Sequence, residues 1–249
     1  MITLMRFFGP VIIFWFVELG VIAGVILIWR RDERIAFAPW VDIAVSTLTW
    51  IPWLAAGWLT GWAGVFGCVC GQFLAMQTFC FWHWKHTGHQ GGSIGRTLNR
   101  IVGAKSNNIA LIATLPALPA FLLIRLSQYT TYPILVRTIK LPPYVASEWV
   151  SVSRQKFHGL VGHDLIWCLY CDWMTGIYAL GGEMLRNLES FWCPIRFYPG
   201  KKCENCKLDF PDVEQWVPPE GTMEDVEKKL TEKYEGRKWN SWWSHPDRK

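Results

Sequence analysis

Residues 43–84 read IAVSTLTWIPWLAAGWLTGWAGVFGCVCGQFLAMQTFCFWHW, with no Asp, Glu, Lys or Arg between Asp42 and Lys85. One crossing of ~30 Å of hydrocarbon takes about 20 apolar residues at 1.5 Å per residue, so this run is long enough for two. Gly57, Gly61 and Gly64 mark a tight turn, and crossings are predicted on either side of it, at about 40–58 and 62–84. Trp40, Trp58, Trp62, Trp82 and Trp84 stand at the ends of those helices, where indole rings settle at the headgroup level.

Upstream, every residue from Val11 to Trp29 is apolar or Gly except Glu18, and Arg30-Arg31 ends the run. Its length, with Arg6 as the only early charge, reads as a retained helix over 11–29 rather than a signal peptide. Downstream, 109–124 is apolar apart from Thr114 but contains Pro116 and Pro119. It is expected as a fourth crossing, kinked, or as a segment that turns back part way. The fold class is therefore mainly α, a polytopic membrane helical bundle of about four crossings within residues 1–128. Gly20/Gly24, Gly57/Gly61 and Gly67/Gly71 have the spacing that lets helix backbones approach closely.

Charge is distributed to match. The chain is 51% hydrophobic and 18% charged, against roughly 25% charged in an ordinary soluble domain. Residues 1–107 hold 8 of the 25 Lys and Arg and 4 of the 20 Asp and Glu, so the rest of the chain holds most of the charge. A net charge of +5 without a Lys/Arg stripe sets nucleic acid aside as a partner. The links 30–39 and 85–107 carry Arg30, Arg31, Arg34, Lys85, Arg96, Arg100 and Lys105, while the other side offers Arg6, Arg125, Arg137 and Lys140. Seven against four puts the N-terminus outside. The side of the C-terminal domain then depends on whether 109–124 crosses or re-enters. The Gly-rich loop at 88–96 lacks the features of a nucleotide site, and Arg96 and Arg100 suit lipid headgroups.

Residues 129–216 are expected to form a water-facing, α-rich, Cys-ligated domain, followed at 217–249 by an amphipathic helix and an aromatic tail. A helix is predicted from about Ser147 toward Glu189, with breaks at Gly159, Gly162, Gly176, Gly181 and Gly182. His163, Asp164 and Asp172 weigh against a fifth crossing, since an Asp near the bilayer centre costs roughly 3 kcal/mol. Thr222 and Asp225 suggest a capping arrangement, and Met223, Val226, Leu230 and Tyr234 fall on one helical face. Trp239, Trp242 and Trp243 crowd the last eleven residues.

Chemistry concentrates in two Cys-x-x-Cys pairs, Cys168/Cys171 and Cys203/Cys206. Four thiolates make a closed zinc site. Disulfides are the alternative in an oxidising compartment, with Cys193 a spare partner. His158 and His163 precede the first pair and are further candidate ligands. Cys80, His83, His86 and His89 follow one another at steps of three at the end of the third crossing; they form a separate metal or haem candidate, or meet headgroups. Six His in all are too few for a desaturase-type di-iron site. Glu18 is an intramembrane carboxylate, expected to face the bundle interior with Gln72, Gln77 or Thr78 as partner.

Two functional readings follow. The first is an accessory or scaffolding subunit of a larger membrane complex, non-catalytic, contacting lipid and other membrane subunits and holding structural zinc. The second is a membrane redox enzyme or electron-transfer subunit, with iron–sulfur or haem as alternative cofactors. Four crossings plus a Cys-x-x-Cys pair loosely resemble the disulfide-forming quinone reductases, which implies thiol–disulfide chemistry. In that family the pair lies in the first loop, whereas Cys168 and Cys171 follow the last crossing, and no residue carries over.

Overall fold

In the computed structural model, residues 2–87, 93–114, 116–157, 160–192, 217 and 221–235 are described. Among these residues the chain is helical: α1 (Ile2–Arg31), α2 (Trp40–Leu48), α3 (Trp50–His86), α4 (Ile94–Val102), α5 (Ala104–Thr114), α6 (Ala117–Ile139), α7 (Ala146–Trp149), α8 (His163–Trp192) and α9 (Met223–Tyr234). Short 3-10 turns occupy Glu33–Ala36 and Arg154–Lys156. Contacts divide the chain into two compact units, Met1–Leu118 with Ala146–Gly176, and Pro119–Val145 with Ile177–Lys249, so that α8 contributes to both. By length and composition, three stretches suit membrane crossing: Phe8–Trp29, Trp50–His86 and Ala104–Ile139. They leave large side chains such as Phe16, Leu54, Phe66 and Leu123 exposed, a surface that water does not tolerate over such lengths and lipid does. The protein is mainly helical and has the character of a membrane protein.

In the first unit, α3 is a hairpin. Its helical course is broken at Gly61, whose φ of 68° and ψ of −156° suit a residue without a Cβ. Trp58 and Trp62 flank the turn and are almost fully exposed. Hydrogen bonds across the two limbs fix their register: Trp53 Nε1 donates to Gln72 Oε1, and Gln72 Nε2 donates to the Thr49 carbonyl at 3.0 Å. The limb before the turn is itself interrupted at Thr49, which separates α2 from α3.

Helix α1 runs parallel to the second limb of α3. A Cβ built on Gly67 would lie 2.8 Å from Pro10 Cβ, and one built on Gly71 would lie 2.8 Å from the Val11 carbonyl oxygen and 2.9 Å from the Trp15 nitrogen. Further along, Trp15 Nε1 donates to Thr78 Oγ1 at 3.2 Å. Of the three glycine pairs, Gly67/Gly71 seats α1, Gly57 meets Val65 across the turn of α3, and Gly20 and Gly24 face open space. The parallel course puts the end of α1 and the end of α3 at the same end of this unit.

At that end, Ala36–Ala38 and Val150–Val152 pair as extended segments. Ala38 N donates to Val150 O at 2.9 Å and Val152 N to Ala36 O at 2.8 Å, around a Phe37–Ser151 bridge. Ile35, Val41, Val150 and Val152 are buried there.

Helix α8 differs from its sequence reading. It begins after Gly162, whose φ is +56°, but runs unbroken through Gly176, Gly181 and Gly182. A Cβ on Gly176 would strike the backbone of Trp149 and Val150, and one on Gly181 would come within 3.1–3.2 Å of Ile124 and Gln128, in the second unit. These glycines admit neighbours and do not break the helix. Helix α6 likewise passes through Pro133 and extends beyond the apolar run 109–124. Helix α9 carries the full capping box: the Thr222 hydroxyl accepts from Asp225 N at 3.3 Å and Asp225 Oδ2 accepts from Thr222 N at 2.7 Å. Its Val226 is buried, whereas Met223 is exposed.

The α1–α3 seam yields a direct test. Replacing Gly71 by Leu places side-chain carbon on the Val11–Trp15 backbone and is expected to cost about 3 kcal/mol or more, as overpacking of a close seam does. The check is a markedly lower melting temperature in detergent, while Gly24→Leu, on an open face, leaves it within the error of wild type.

Candidate functional site

The first half of α8 gathers the chemistry predicted from sequence. Its polar residues, which weighed against a crossing, each find a partner. His163 Nε2 lies 3.0 Å from Gln77 Oε1 of α3. The Asp164 carboxylate accepts from Ile94 N at 2.8 Å and Gly95 N at 3.3 Å, where the positive end of α4 favours an anion. Asp172 Oδ2 accepts from Ser153 N at 2.7 Å, Ser153 Oγ at 3.2 Å and Arg154 N at 3.3 Å. Trp173 is almost wholly buried and donates to Asp42 Oδ1 at 2.8 Å.

Cys168 and Cys171 are one helical turn apart and both free, the first half-buried and the second exposed. They share one side of α8 with the guanidinium of Arg154, which lies within electrostatic reach of both sulfurs and pairs with Asp172, Nε to Oδ1, at 3.6 Å. The Cys171 sulfur, then Cys168 and the Asp172 charge, hold Arg154 above its ordinary pKa. A cation thus stands on the same side of α8 as two thiols. Cys203, Cys206, Cys193, His158 and His89 lie outside the described residues. Among the described residues no group of three or more His, Cys, Asp or Glu converges as a metal site.

His83 and His86 make contacts of their own at the end of α3. His83 Nδ1 accepts the Gly162 N–H at 3.2 Å and the ring stacks on Phe79; His86 Nδ1 lies 2.9 Å from the Trp82 carbonyl and its ring stacks on Trp82. Cys80 is buried beside Gly162. His83 and Cys80 thus join the end of α3 to the start of α8, while His86 rests on Trp82 of its own helix. An open cleft of about 550 Å³ is lined by Arg34, Trp40 and Glu148 among others, and its Arg34 pairs with Asp32 at 2.6 Å.

Glu18 is buried, as expected, and its carboxyl meets Gln72. Of the three partners foreseen for it, Gln72 is the one in contact; Gln77 faces His163 and Thr78 faces Trp15.

Sequence reasoning missed a polar network in the second unit. Arg125, Gln128, Glu183 and Asn187 are all buried. Arg125 Nη1 donates to Gln128 Oε1 at 2.7 Å, Arg125 Nη2 to the Tyr129 hydroxyl at 2.7 Å, and Gln128 Nε2 to the Ile177 carbonyl at 2.9 Å. Asn187 Nδ2 donates to the Tyr144 hydroxyl and, at 3.5 Å, to that of Tyr132. Tyr144 in turn donates to Glu183 Oε1 at 3.1 Å, and Arg186 Nη2 to Glu183 Oε2 at 3.1 Å. Burial first, and the Glu183 charge next, push the Tyr144 phenol upward, so it stays a donor. The signal was present in the 125/128/132 and 183/186/187 spacings, each of which puts polar groups on one helical face. It was masked because these positions lie in otherwise aromatic, apolar helices.

No protein-family model, no curated protein and no solved structure matches the chain.

Removing Asn187 leaves two tyrosine hydroxyls short of a donor in a buried site. Asn187→Ala is expected to destabilise by about 1–3 kcal/mol, measured as a lower melting temperature in detergent. Thr138→Ala, which removes an exposed hydroxyl bonded within its own helix, serves as the control and leaves stability nearly unchanged.

Proposed function

We propose that the chain is an integral membrane, non-catalytic subunit of a larger membrane complex, anchored by four crossings and braced at its water-facing end by a structural zinc ion. Cys168 and Cys171 supply two thiolates, and Cys203 and Cys206 supply the other two. The reading is carried by one observation, that the first pair stands unbonded on one turn of α8 against the Arg154 guanidinium. A zinc ion with four thiolates carries a net charge of about −2, and a neighbouring guanidinium offsets part of it, as outer groups do around metal ligands. Lipid contact is supported by the apolar, outward-facing helices. Contact with other subunits is supported by the aromatic surplus of the C-terminal stretch, where Trp239, Trp242 and Trp243 follow an amphipathic helix.

The exposure of Cys171 favours a second reading, thiol–disulfide exchange by the Cys168/Cys171 pair. Metal analysis separates the two. The zinc reading expects about one zinc per purified chain, lost in Cys168→Ser and in Cys203→Ser alike, with no visible absorption band. A metal-free protein carrying a Cys168–Cys171 disulfide overturns it in favour of exchange, and an iron–sulfur or haem spectrum overturns it in favour of electron transfer. Cross-linking in native membranes is expected to capture stable partners; a uniformly monomeric species there overturns the subunit assignment.

A further inference from the structure

Glu18 stands near the middle of the Phe8–Trp29 stretch and is 4% exposed. Its own helix is apolar for a turn or more on either side. From α3 it meets Gln72, with the Cys68 thiol within electrostatic reach; from α8, the Tyr170 phenol is within the same reach. Among the described residues no Lys, Arg or His is paired with it.

Gln72 is a poor counterpart for a full negative charge because its amide is already committed. Its oxygen takes the Trp53 indole N–H, and its nitrogen gives to the Thr49 carbonyl at 3.0 Å and to the Leu48 carbonyl at 3.4 Å. The Leu48 carbonyl is free to accept because residue 52 is Pro and has no N–H to give it. An interrupted helix inside an apolar bundle is where buried polar groups and small cations are accommodated in membrane proteins. An isolated carboxylate in such a place takes up a proton in preference to bearing its charge.

We infer that Glu18, Gln72 and the interrupted helix at Leu48–Thr49 form a reversible proton-binding site inside the apolar bundle, with Glu18 carrying the proton. The site requires no other ligand. It gives the chain one carboxylic acid that exchanges its proton within the bundle, away from the carboxylates of the water-facing segments.

Dicyclohexylcarbodiimide is the probe, because it enters apolar regions and reacts with the protonated form. The acid's proton passes to a carbodiimide nitrogen, the carboxylate adds to the central carbon, and an oxygen-to-nitrogen acyl shift leaves a stable acylurea. Full-length protein in lipid nanodiscs is labelled across a series from mildly acidic to alkaline buffer and mapped by mass spectrometry. The expected result is an adduct on Glu18 that fades as pH rises and is absent in Glu18→Gln. In Gln72→Ala, the pH at which labelling fades is expected to move while the labelled residue stays the same. Absence of a Glu18 adduct in the folded protein in mild acid overturns the proposal, as does labelling that does not change with pH. Protection by sodium ions at fixed pH also overturns it, by making a metal cation the occupant. Where Glu18→Gln fails to fold, the pH profile of the wild-type adduct decides the matter.

Discussion

The first unit depends on the approach of α1 to the second limb of α3 across Gly67 and Gly71. With no Cβ at these positions, the Val11–Trp15 backbone lies against the α3 backbone at a separation that a methyl group would prevent. In an apolar solvent there is little hydrophobic drive to pair helices, so packing contacts of this kind and hydrogen bonds between helices supply most of the affinity. The seam also sets which residues become interior. Pairing in this register turns Glu18 toward Gln72 and lets Trp15 reach Thr78, and the Gly61 turn then brings Trp53 and Thr49 to the same glutamine.

Around the far end of that seam, polarity is matched group by group. Asp42, Asp164 and Asp172 would be costly near lipid, yet each accepts from a fixed donor: an indole, a helix N-terminus, and a run of backbone and hydroxyl groups. The order they impose on α8 and on the Ser153–Arg154 turn is what holds Arg154 beside Cys168 and Cys171. The second unit uses the same economy in a denser form. The Tyr144, Glu183, Arg186 and Asn187 side chains are linked by hydrogen bonds, and Asn187 also reaches Tyr132 of α6, so that the network favours one arrangement of α6 and the second half of α8.

Several features were legible in the sequence because they depend on short-range chemistry. The charge-free run 43–84 pointed to a hairpin marked by Gly57, Gly61 and Gly64, and the structure makes the turn at Gly61. The spacing of Thr222 and Asp225 gave a capping box, and the 168/171 spacing gave two thiols on one helical side. Glu18 stood out because a carboxylate is costly in an apolar run. Where the reading went astray, a long-range contact overrode a local rule. Gly176 and Gly181 look like helix breakers, but their missing side chains make room for Trp149, Val150, Ile124 and Gln128. Arg125, taken from sequence as a flanking basic residue, is interior because Gln128 and Tyr129 receive its donors.

What the sequence by itself determined was composition-driven: helices of membrane-crossing length, their turn, and the inventory of reactive side chains. Those follow from hydrophobic length and from the absence of charge, which neighbours in space do not alter. What the tertiary structure decided was pairing. Gly67/Gly71 and not Gly20/Gly24 seats a helix, Gln72 and not Gln77 or Thr78 meets Glu18, and Arg154 stands by the first cysteine pair. Each of these choices rests on which faces of distant segments come within about 3–4 Å, the range over which hydrogen bonds and close packing act.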